Sequence, residues 1–412
     1  MTAGYGSGDN DRGTAGASVV DGGRGSPPTL ADDLNGFDTG VIEERGLAPL
    51  GDKRRIALIV AGFVVFAIAI YVLLPEIVGL DDALDRFEQG VWYWLLVALA
   101  FTVAGFAAFG ALFRGIFAGS GDTQVHDRFD VRTSYQITIA AFAASKIFSA
   151  GGAGGIALIY WALRRAGMPR RRAACRMVAF NAVLYSVYLG ALVLFGVLLR
   201  ADVLPGPHPF GGTVVPAIVA GIVLAVVGLI ALISGDIERR LRRISRGGGG
   251  RARGVARLAA RLATIPAVLA TGVRTAIDYL RYPKRGALAL AGAVGFWAAN
   301  IGTLWAAFEA FGGDVPLGVL VQGFFVGMLA NLIPSPAGGI GSLDAGMIAA
   351  FFLFGVPADL VFPAVLVYRV MAFWLPIPPG IVAYFQLRRS VAEWRDGEGS
   401  YTIKSEVGME AT

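Results

Sequence analysis

Six apolar stretches of membrane-spanning length constrain the fold of this sequence more than any other feature. They are Ile56–Leu74, Val91–Phe113, Ala174–Leu199, Thr213–Ile233, Gly286–Phe308 and Leu360–Leu387. The shortest would extend for about 28 Å as an α-helix, which is enough to cross the hydrocarbon core of a bilayer. Because backbone polar groups must be satisfied internally in lipid, we predict an all-α, polytopic membrane protein with six full transmembrane helices.

The composition agrees with a membrane protein and excludes several kinds of site. Only 16% of the 412 residues are charged, and the mean hydropathy is +0.62. The single cysteine and two histidines rule out a disulfide framework and a zinc site built from His and Cys ligands. We therefore expect no metal, no cofactor and no nucleic-acid partner.

Two further apolar regions are interrupted by glycine and proline. Tyr135–Ala166 is broken at Ser149–Gly155, and Leu317–Gly355 is broken at Pro334–Gly341. The arms of the first region would be about 21 Å and 16 Å long as helices, which is too short for either arm to cross alone. Non-helical backbone at membrane depth occurs only where protein buries it or where it lines a wet cavity. We predict two re-entrant helical hairpins.

The charges of the loops predict the orientation, because cytoplasmic loops carry an excess of Lys and Arg. Residues 75–90 hold five acids and one base, whereas residues 236–285 hold thirteen bases and three acids. The short connections at 309–316 and 355–359 contain acids and no bases. We predict a multi-pass protein of the cell membrane with both termini in the cytoplasm. The first hairpin then enters from the cytoplasm and the second from outside.

This topology gives the two halves of the chain opposite orientations. A shift of 188 residues superposes five pairs, which are Gly151 on Gly339, Gly167 on Gly355, Pro169 on Pro357, Phe180 on Tyr368 and Asn181 on Arg369. Together, the topology and the matches indicate an inverted repeat. Transporters built in this way place their substrate near the midplane, at broken helices from both halves.

The domain organisation follows from these boundaries. We predict a disordered, acidic, Gly-rich cytoplasmic tail at 1–52 and a transmembrane domain at 53–390, followed by a cytoplasmic tail at 391–412. Within the domain, a first half at 91–233 and a second half at 286–387 flank a basic cytoplasmic connector at 236–285. The connector suits a helix lying in the inner headgroup layer, although positive-inside anchoring explains its arginines nearly as well.

Polar groups inside the predicted membrane region are few, and ionisable groups there usually serve function. Lys146 lies just before the first break, Asp344 follows the second, and Arg369 lies ten residues into the last span. One interpretation is a polar cleft that accepts a charged headgroup. The alternative is that Asp344 and Arg369 pair with each other and only lock the second hairpin.

The uncharged candidate residues also have both a functional and a structural interpretation. The glycines of the breaks either let backbone amides approach an anion or serve tight packing and turning, and for individual glycines we favour packing. Asn300 and Asn331 are expected to make interhelical hydrogen bonds. The full set of predicted substrate-binding residues is Lys146, Gly151, Gly152, Asn181, Pro336, Gly338, Gly339, Gly341, Asp344 and Arg369.

One stretch of the second half carries a family resemblance. Pro334-Ser-Pro-Ala-Gly-Gly-Ile-Gly-Ser-Leu-Asp344, then Gly355-Val-Pro357 and Tyr368-Arg369, resembles the flippase-like family of lysylphosphatidylglycerol synthase transmembrane regions. The resemblance covers about residues 53–390, and Leu163–Gly167 is similar to the first-half signature. Three features depart from the family pattern: Asp344 replaces Glu, Ala337 stands where a third glycine is usual, and Ser149–Gly155 lacks a Pro-x-Arg character.

The resemblance implies movement of an amphipathic lipid between leaflets. In longer relatives a soluble aminoacyl-transfer domain follows this region, and we expect that domain to be absent here. The leading hypothesis is therefore a flippase-like protein that is not an enzyme, with membrane lipids, anionic phospholipid among them, as its partners. An intramembrane lipid-modifying enzyme and a non-transporting membrane scaffold are the alternatives.

Overall fold

The computed structural model describes residues 92–117, 129–147, 153–247, 269–332 and 341–392, all within the unit Ala48–Thr412. These residues form helices and short connections, with no strand among them. The predicted span Ile56–Leu74, the tail at 1–52 and the connector residues 248–268 lie outside the described residues. Within the described part of the chain, the all-α prediction is confirmed.

In each half of the chain, two short helices follow a long one. The first half contains α1 (Trp92–Phe117), α2 (Val131–Ile147), α3 (Ala153–Arg165), α4 (Arg170–Arg200) and α5 (Phe210–Gly247). A helix at 269–281, α6, leads to α7 (Pro283–Ala310), α8 (Leu317–Met328) and α9 (Ser342–Leu353). The last long helix comprises α10 (Ala358–Arg369), a π-helical turn at Val370–Trp374, and α11 at 377–392.

Five helical segments in the described residues are long and apolar enough to cross a membrane. They are Trp92–Phe117, Arg170–Arg200, Phe210–Leu229, Gly286–Ala310 and Ala358–Ala392. Each contains or overlaps one of the predicted spans, because bilayer thickness sets the same length for every crossing helix. The protein is an integral multi-pass membrane protein.

Two predicted boundaries differ from the structure. Helix α5 continues from the predicted end of its span, Ile233, to Gly247, so its last turns include the first arginines of the basic connector. Helix α3 begins at Ala153, inside the predicted break at Ser149–Gly155. Gly155 lies within α3, and its lack of a side chain lets α3 pack closely on α2. A Cβ atom at Gly155 would lie 2.5 Å from the carbonyl oxygen of Ala141.

Each interrupted region forms a pair of antiparallel arms in contact. In the second pair, a Cβ at Gly327 would lie 2.7 Å from Cα of Met347, and a Cβ at Gly323 would lie 2.8 Å from the Phe351 ring. The residue numbers rise along α8 as they fall along α9, which establishes the antiparallel arrangement. Glycine at these positions lets the arms approach to backbone distance.

The two arm pairs end in the same kind of turn. Gly167, with φ 92°, and Gly355, with φ 77°, occupy the left-handed region that glycine adopts without strain. In both turns the next residue donates its N–H five residues back, from Met168 to Leu163 and from Val356 to Phe351. This is the Schellman arrangement, and a proline two residues after the glycine then precedes the next helix.

Helices α1 and α7 pack antiparallel through close glycine contacts. A Cβ at Gly292 would lie 2.4 Å from the backbone nitrogen of Leu112, and a Cβ at Gly302 would lie 2.6 Å from the Phe101 ring. At the end of α1, the guanidinium of Arg176 on α4 donates to the carbonyl oxygen of Ile116. These contacts hold together the helices that surround the candidate site.

Candidate substrate-binding site

An ion pair joins the start of α9 to the last long helix. Asp344 is the third residue of α9, and its Oδ2 accepts hydrogen bonds from the Gly341 N–H at 3.0 Å and from Arg369 Nη2 at 3.3 Å. Its Oδ1 contacts Arg369 Nε. A carboxylate in the first helical turn also compensates the free N–H groups there. Asp344 therefore closes its own helix and binds Arg369 with both oxygens.

Burial of Arg369 makes the loss of this pairing costly. The Arg369 side chain is 7% exposed and that of Asp344 is 30% exposed. A buried charge that loses its partner typically costs about 3–5 kcal/mol. The predicted pairing of Asp344 with Arg369 is thus present, which agrees with both interpretations of these residues.

The Phe373 ring extends the cluster to Lys146. The Arg369 guanidinium carbon lies 4.6 Å from the ring centroid, and Lys146 Nζ lies 4.8 Å from the same centroid. Lys146 Nζ also lies 5.2 Å from the ring of Phe142, one turn earlier on α2. Cations within about 6 Å of an aromatic centroid are attracted to it. We call Lys146, Asp344, Arg369 and Phe373 the ionic cluster.

A π-helical turn contains Phe373. The Leu375 N–H donates to Val370 O, five residues back, at 2.9 Å. Single π-helical turns inside α-helices are frequent at functional sites. The wider turn follows Arg369 directly and carries the aromatic ring that both cations share.

The ionic cluster connects the two hairpins. Lys146 ends the first arm of one hairpin, and Asp344 begins the second arm of the other. In the sequence, Lys146 lies just before the break of the first hairpin and Asp344 lies just after the break of the second. The last long helix contacts both residues, Lys146 through Phe373 and Asp344 through Arg369. The three ionisable groups carry two positive charges and one negative charge.

The remaining predicted site residues are placed differently. Gly341, with φ 85°, precedes α9 and donates to Asp344. Asn181 is half-buried, and its amide donates to Met177 O in the same helix at 2.9 Å, so the described contacts do not bring it into the cluster. The others lie outside the described residues: Gly151, Gly152, Pro336, Gly338 and Gly339.

An interhelical hydrogen bond lies next to the cluster. The Tyr368 hydroxyl donates to Asn300 Oδ1 at 3.1 Å, which joins α10 to α7 as expected for Asn300. In the described residues, no group of three or more His, Cys, Asp or Glu side chains could hold a metal ion.

The sequence comparisons identify the family. The family model described as "Lysylphosphatidylglycerol synthase TM region" matches residues 59–380, which is most of the chain. The chain belongs to this family. The resemblance drawn from Pro334–Asp344 and Tyr368-Arg369 is thereby confirmed, and the whole described ionic cluster lies inside the matched region.

Relatives of this chain include UPF0104 membrane proteins of Methanothermobacter thermautotrophicus (strain Delta H). One match is 32% identical over 97 residues, covering 24% of this chain and 29% of the relative. A second is 26% identical over 118 residues, covering 28% of this chain and 35% of the relative. The matches therefore span about a third of the relatives' length. No solved structure matches the chain significantly.

The sequence analysis did not predict the two aromatic residues that contact the cations, Phe142 and Phe373. Phe142 precedes Lys146 by four residues, and Phe373 follows Arg369 by four. Residues four apart are neighbours on a helix, so an aromatic residue at this spacing from a buried cation was an available signal. That both cations share the ring of Phe373 depends on tertiary packing and has no local signal.

Proposed function

We propose that this protein moves an anionic amphipathic lipid between the leaflets of the cell membrane. The headgroup would contact the ionic cluster while the acyl chains stay in the bilayer. The observation that carries this proposal is that the Phe373 ring contacts cations tied to both hairpins. Lys146 Nζ, from the first hairpin, lies 4.8 Å from the ring centroid. The guanidinium carbon of Arg369, which pairs with Asp344 of the second hairpin, lies 4.6 Å from it.

The charge balance of the cluster favours an anion. Both oxygens of Asp344 are engaged by Arg369, and Oδ2 also by the Gly341 N–H. Lys146 makes its described contacts with two aromatic rings, and no described carboxylate pairs with it. A cation held in this way costs free energy unless a ligand neutralises its charge or water solvates it. A phosphate group supplies the missing negative charge.

An inverted repeat would give such a site access to both leaflets. Each half runs as a long helix, two antiparallel short arms, a Schellman turn, a proline and a long helix. The equivalent long helices α1 and α7 are antiparallel, as an inverted repeat requires. We propose that the arm pairs are re-entrant, that the chain has six crossings, and that both termini face the cytoplasm.

Leaflet exchange in proteoliposomes tests the proposal. Purified protein is reconstituted with acyl-labelled phosphatidylglycerol or acyl-labelled phosphatidylcholine, and exposure of the label to an impermeant quencher is followed over time. We expect faster exchange of the anionic lipid than in protein-free vesicles, and loss of this exchange in Arg369→Gln. Exchange at the protein-free rate for the wild-type protein would contradict the proposal.

We propose transport without chemical change to the lipid. Mass spectrometry of lipids recovered from the same vesicles should find the headgroup unaltered. A covalently modified lipid that forms only with the wild-type protein would favour the lipid-modifying alternative.

A further inference from the structure

The ionic cluster contains one more basic group than its ion pair balances. Asp344 engages Arg369 with both carboxylate oxygens, so these two side chains balance each other. Lys146 Nζ lies 5.2 Å from the Phe142 ring centroid and 4.8 Å from that of Phe373. Among the described residues, no carboxylate pairs with this amine. An ammonium group at Lys146 is therefore the unbalanced charge of the cluster.

The helices that pack on α2 supply no second counter-ion for Lys146. Helix α1 contacts the Phe142 ring, α3 packs on α2 at Gly155, and α11 packs on α2 at Gly380. None of these four helices contains Asp or Glu. Their other charged residues are Arg114, Arg132, Arg164, Arg165, Arg388 and Arg389.

Helices α9 and α10 add one carboxylate to the cluster, and it is already engaged. Asp344 pairs with Arg369. The Tyr368 hydroxyl donates to Asn300 Oδ1 at 3.1 Å and is uncharged. Asp359, the other acidic residue of these two helices, is exposed in the first turn of α10, far along the helix from Arg369. No carboxylate of either helix remains to neutralise the lysine.

These surroundings favour loss of the lysine proton when the cluster holds no ligand. Aromatic rings replace only part of the hydration of an ammonium group, and the Arg369 guanidinium at the same ring repels a second positive charge. A guanidinium does not release its proton in proteins, whereas a lysine amine does so when its surroundings disfavour the charge. The empty cluster is balanced when Lys146 is a neutral amine.

A bound lipid phosphate reverses this preference. A phosphodiester brings one negative charge, which balances an ammonium group at Lys146 and leaves the pair of Asp344 and Arg369 intact. A ligand that favours the protonated amine strengthens proton binding by the same factor by which the proton strengthens ligand binding. Because Lys146 is half-buried rather than enclosed, a ligand and a proton can reach this side chain.

We propose that the protein binds its anionic lipid together with one proton, which Lys146 takes up. Nζ of the neutral amine accepts the proton from water and becomes an ammonium group that contacts the phosphate. When the lipid leaves in the opposite leaflet, the proton returns to water on that side. This inference rests on the proposed function and adds its driving force. The lipid and proton together carry no net charge, so a proton gradient drives the movement and a membrane potential does not.

Proton uptake on lipid binding tests this inference directly. Purified protein in detergent is titrated with the short-chain lipid dihexanoyl phosphatidylglycerol in a calorimeter, in buffers that differ in their heat of ionisation, with empty micelles as the blank. The buffer dependence gives the number of protons taken up per lipid bound. We expect this number to rise with pH toward about one, while the affinity for the lipid falls by up to about tenfold per pH unit.

Two variants assign the proton to its residue. Lys146→Arg carries a guanidinium that stays protonated, so we expect the protons taken up per lipid bound to fall to about zero. His208→Gln is the control, because a histidine titrates near neutral pH and His208 pairs with Asp202, outside the cluster. Its proton uptake should equal that of the wild type. Wild-type uptake in Lys146→Arg would overturn the inference, because the proton would then bind elsewhere.

A pH gradient tests the coupling with the wild-type protein alone, which matters if Lys146→Arg folds poorly. Proteoliposomes with acyl-labelled phosphatidylglycerol are given a pH difference of about one unit, and protein-free vesicles correct for unassisted movement. We expect the label to accumulate up to about tenfold in the leaflet that faces the alkaline side, because one proton moves with each lipid. A potassium diffusion potential without a pH difference should leave the distribution unchanged.

The outcomes separate this inference from the proposed function. Lipid that binds without proton uptake from about pH 6 to about pH 10, where a lysine can titrate, would overturn the inference and leave the proposed function standing. Protein-dependent exchange that ignores the pH gradient would do the same. A wild-type protein that neither binds the lipid nor exchanges it faster than protein-free vesicles would overturn both.

Discussion

Asp344 and Arg369 form an ion pair with contacts to both carboxylate oxygens, across 25 residues of sequence. The pair joins the second arm of the second hairpin to the last long helix. Because Asp344 also accepts the Gly341 N–H, one carboxylate orders both the start of α9 and the side chain of Arg369. The pair is therefore structural, and it also presents Arg369 to Phe373.

Breaking this pair on one side should destabilise the protein. Asp344→Asn leaves the Arg369 side chain, which is only 7% exposed, without its counter-ion, and we expect a loss of about 3–5 kcal/mol in unfolding free energy. The double variant Arg369→Gln with Asp344→Asn should recover part of that loss, since no unpaired charge remains. Unfolding in detergent, followed by tryptophan fluorescence, measures both. Losses that simply add would contradict the ion-pair account.

Close packing of α1 on α7 predicts a steep cost for a methyl group at their contact. Gly292→Ala places a Cβ 2.4 Å from the Leu112 nitrogen, so we expect a loss of about 1–3 kcal/mol. Gly221→Ala is the matched control, because nothing lies within 4 Å of its Cβ position. Thermal unfolding should separate the two variants. Equal stability would argue against direct backbone contact of α1 and α7.

The glycine in the turn after each hairpin predicts that alanine there will lower the stability of the protein. Gly167→Ala and Gly355→Ala force a Cβ into the left-handed region, at φ 92° and 77°, and each should cost about 1–2 kcal/mol. Gly355→Asn should cost less, because asparagine tolerates this conformation. Thermal unfolding of the four proteins, wild type included, checks this order. A stable Gly355→Ala variant would mean that the turn adopts another conformation.

The sequence predicted the helices well because bilayer thickness and glycine chemistry act locally. The spans ending at Leu199 and Phe308 end within two residues of their helices at Arg200 and Ala310. The arm ending at Ala166 ends in the structure at Arg165. Helix α5 extends beyond the predicted span, which ends at Ile233, because arginine is a good helix former and helical structure continues past the apolar segment.

The site was predicted in part. Lys146, Asp344 and Arg369 were selected because charges are costly at membrane depth, and this cost does not depend on knowing the partners. Phe373 was missed, and so was the approach of Thr102 to Thr303, since these two residues are 201 residues apart and each looks like an ordinary helix residue. Their proximity arises from the packing of α1 on α7.

The role of Lys146 distinguishes a headgroup site from a structural lock. Lys146→Met removes the charge but keeps an apolar side chain against Phe142 and Phe373. The fold loses the cation–π attraction, about 0.5–2 kcal/mol, and is relieved of the cost of burying a charge, so we expect the variant to stay folded. Lys146→Arg keeps the charge and is the matched control.

Exchange of acyl-labelled phosphatidylglycerol by Lys146→Met in proteoliposomes is the most direct measurement. The rate should fall at least about tenfold, the equivalent of 1.4 kcal/mol in the barrier, while Lys146→Arg retains most of the activity and both variants stay folded. A folded Lys146→Met protein that exchanges the lipid at the wild-type rate would contradict a headgroup site at the ionic cluster.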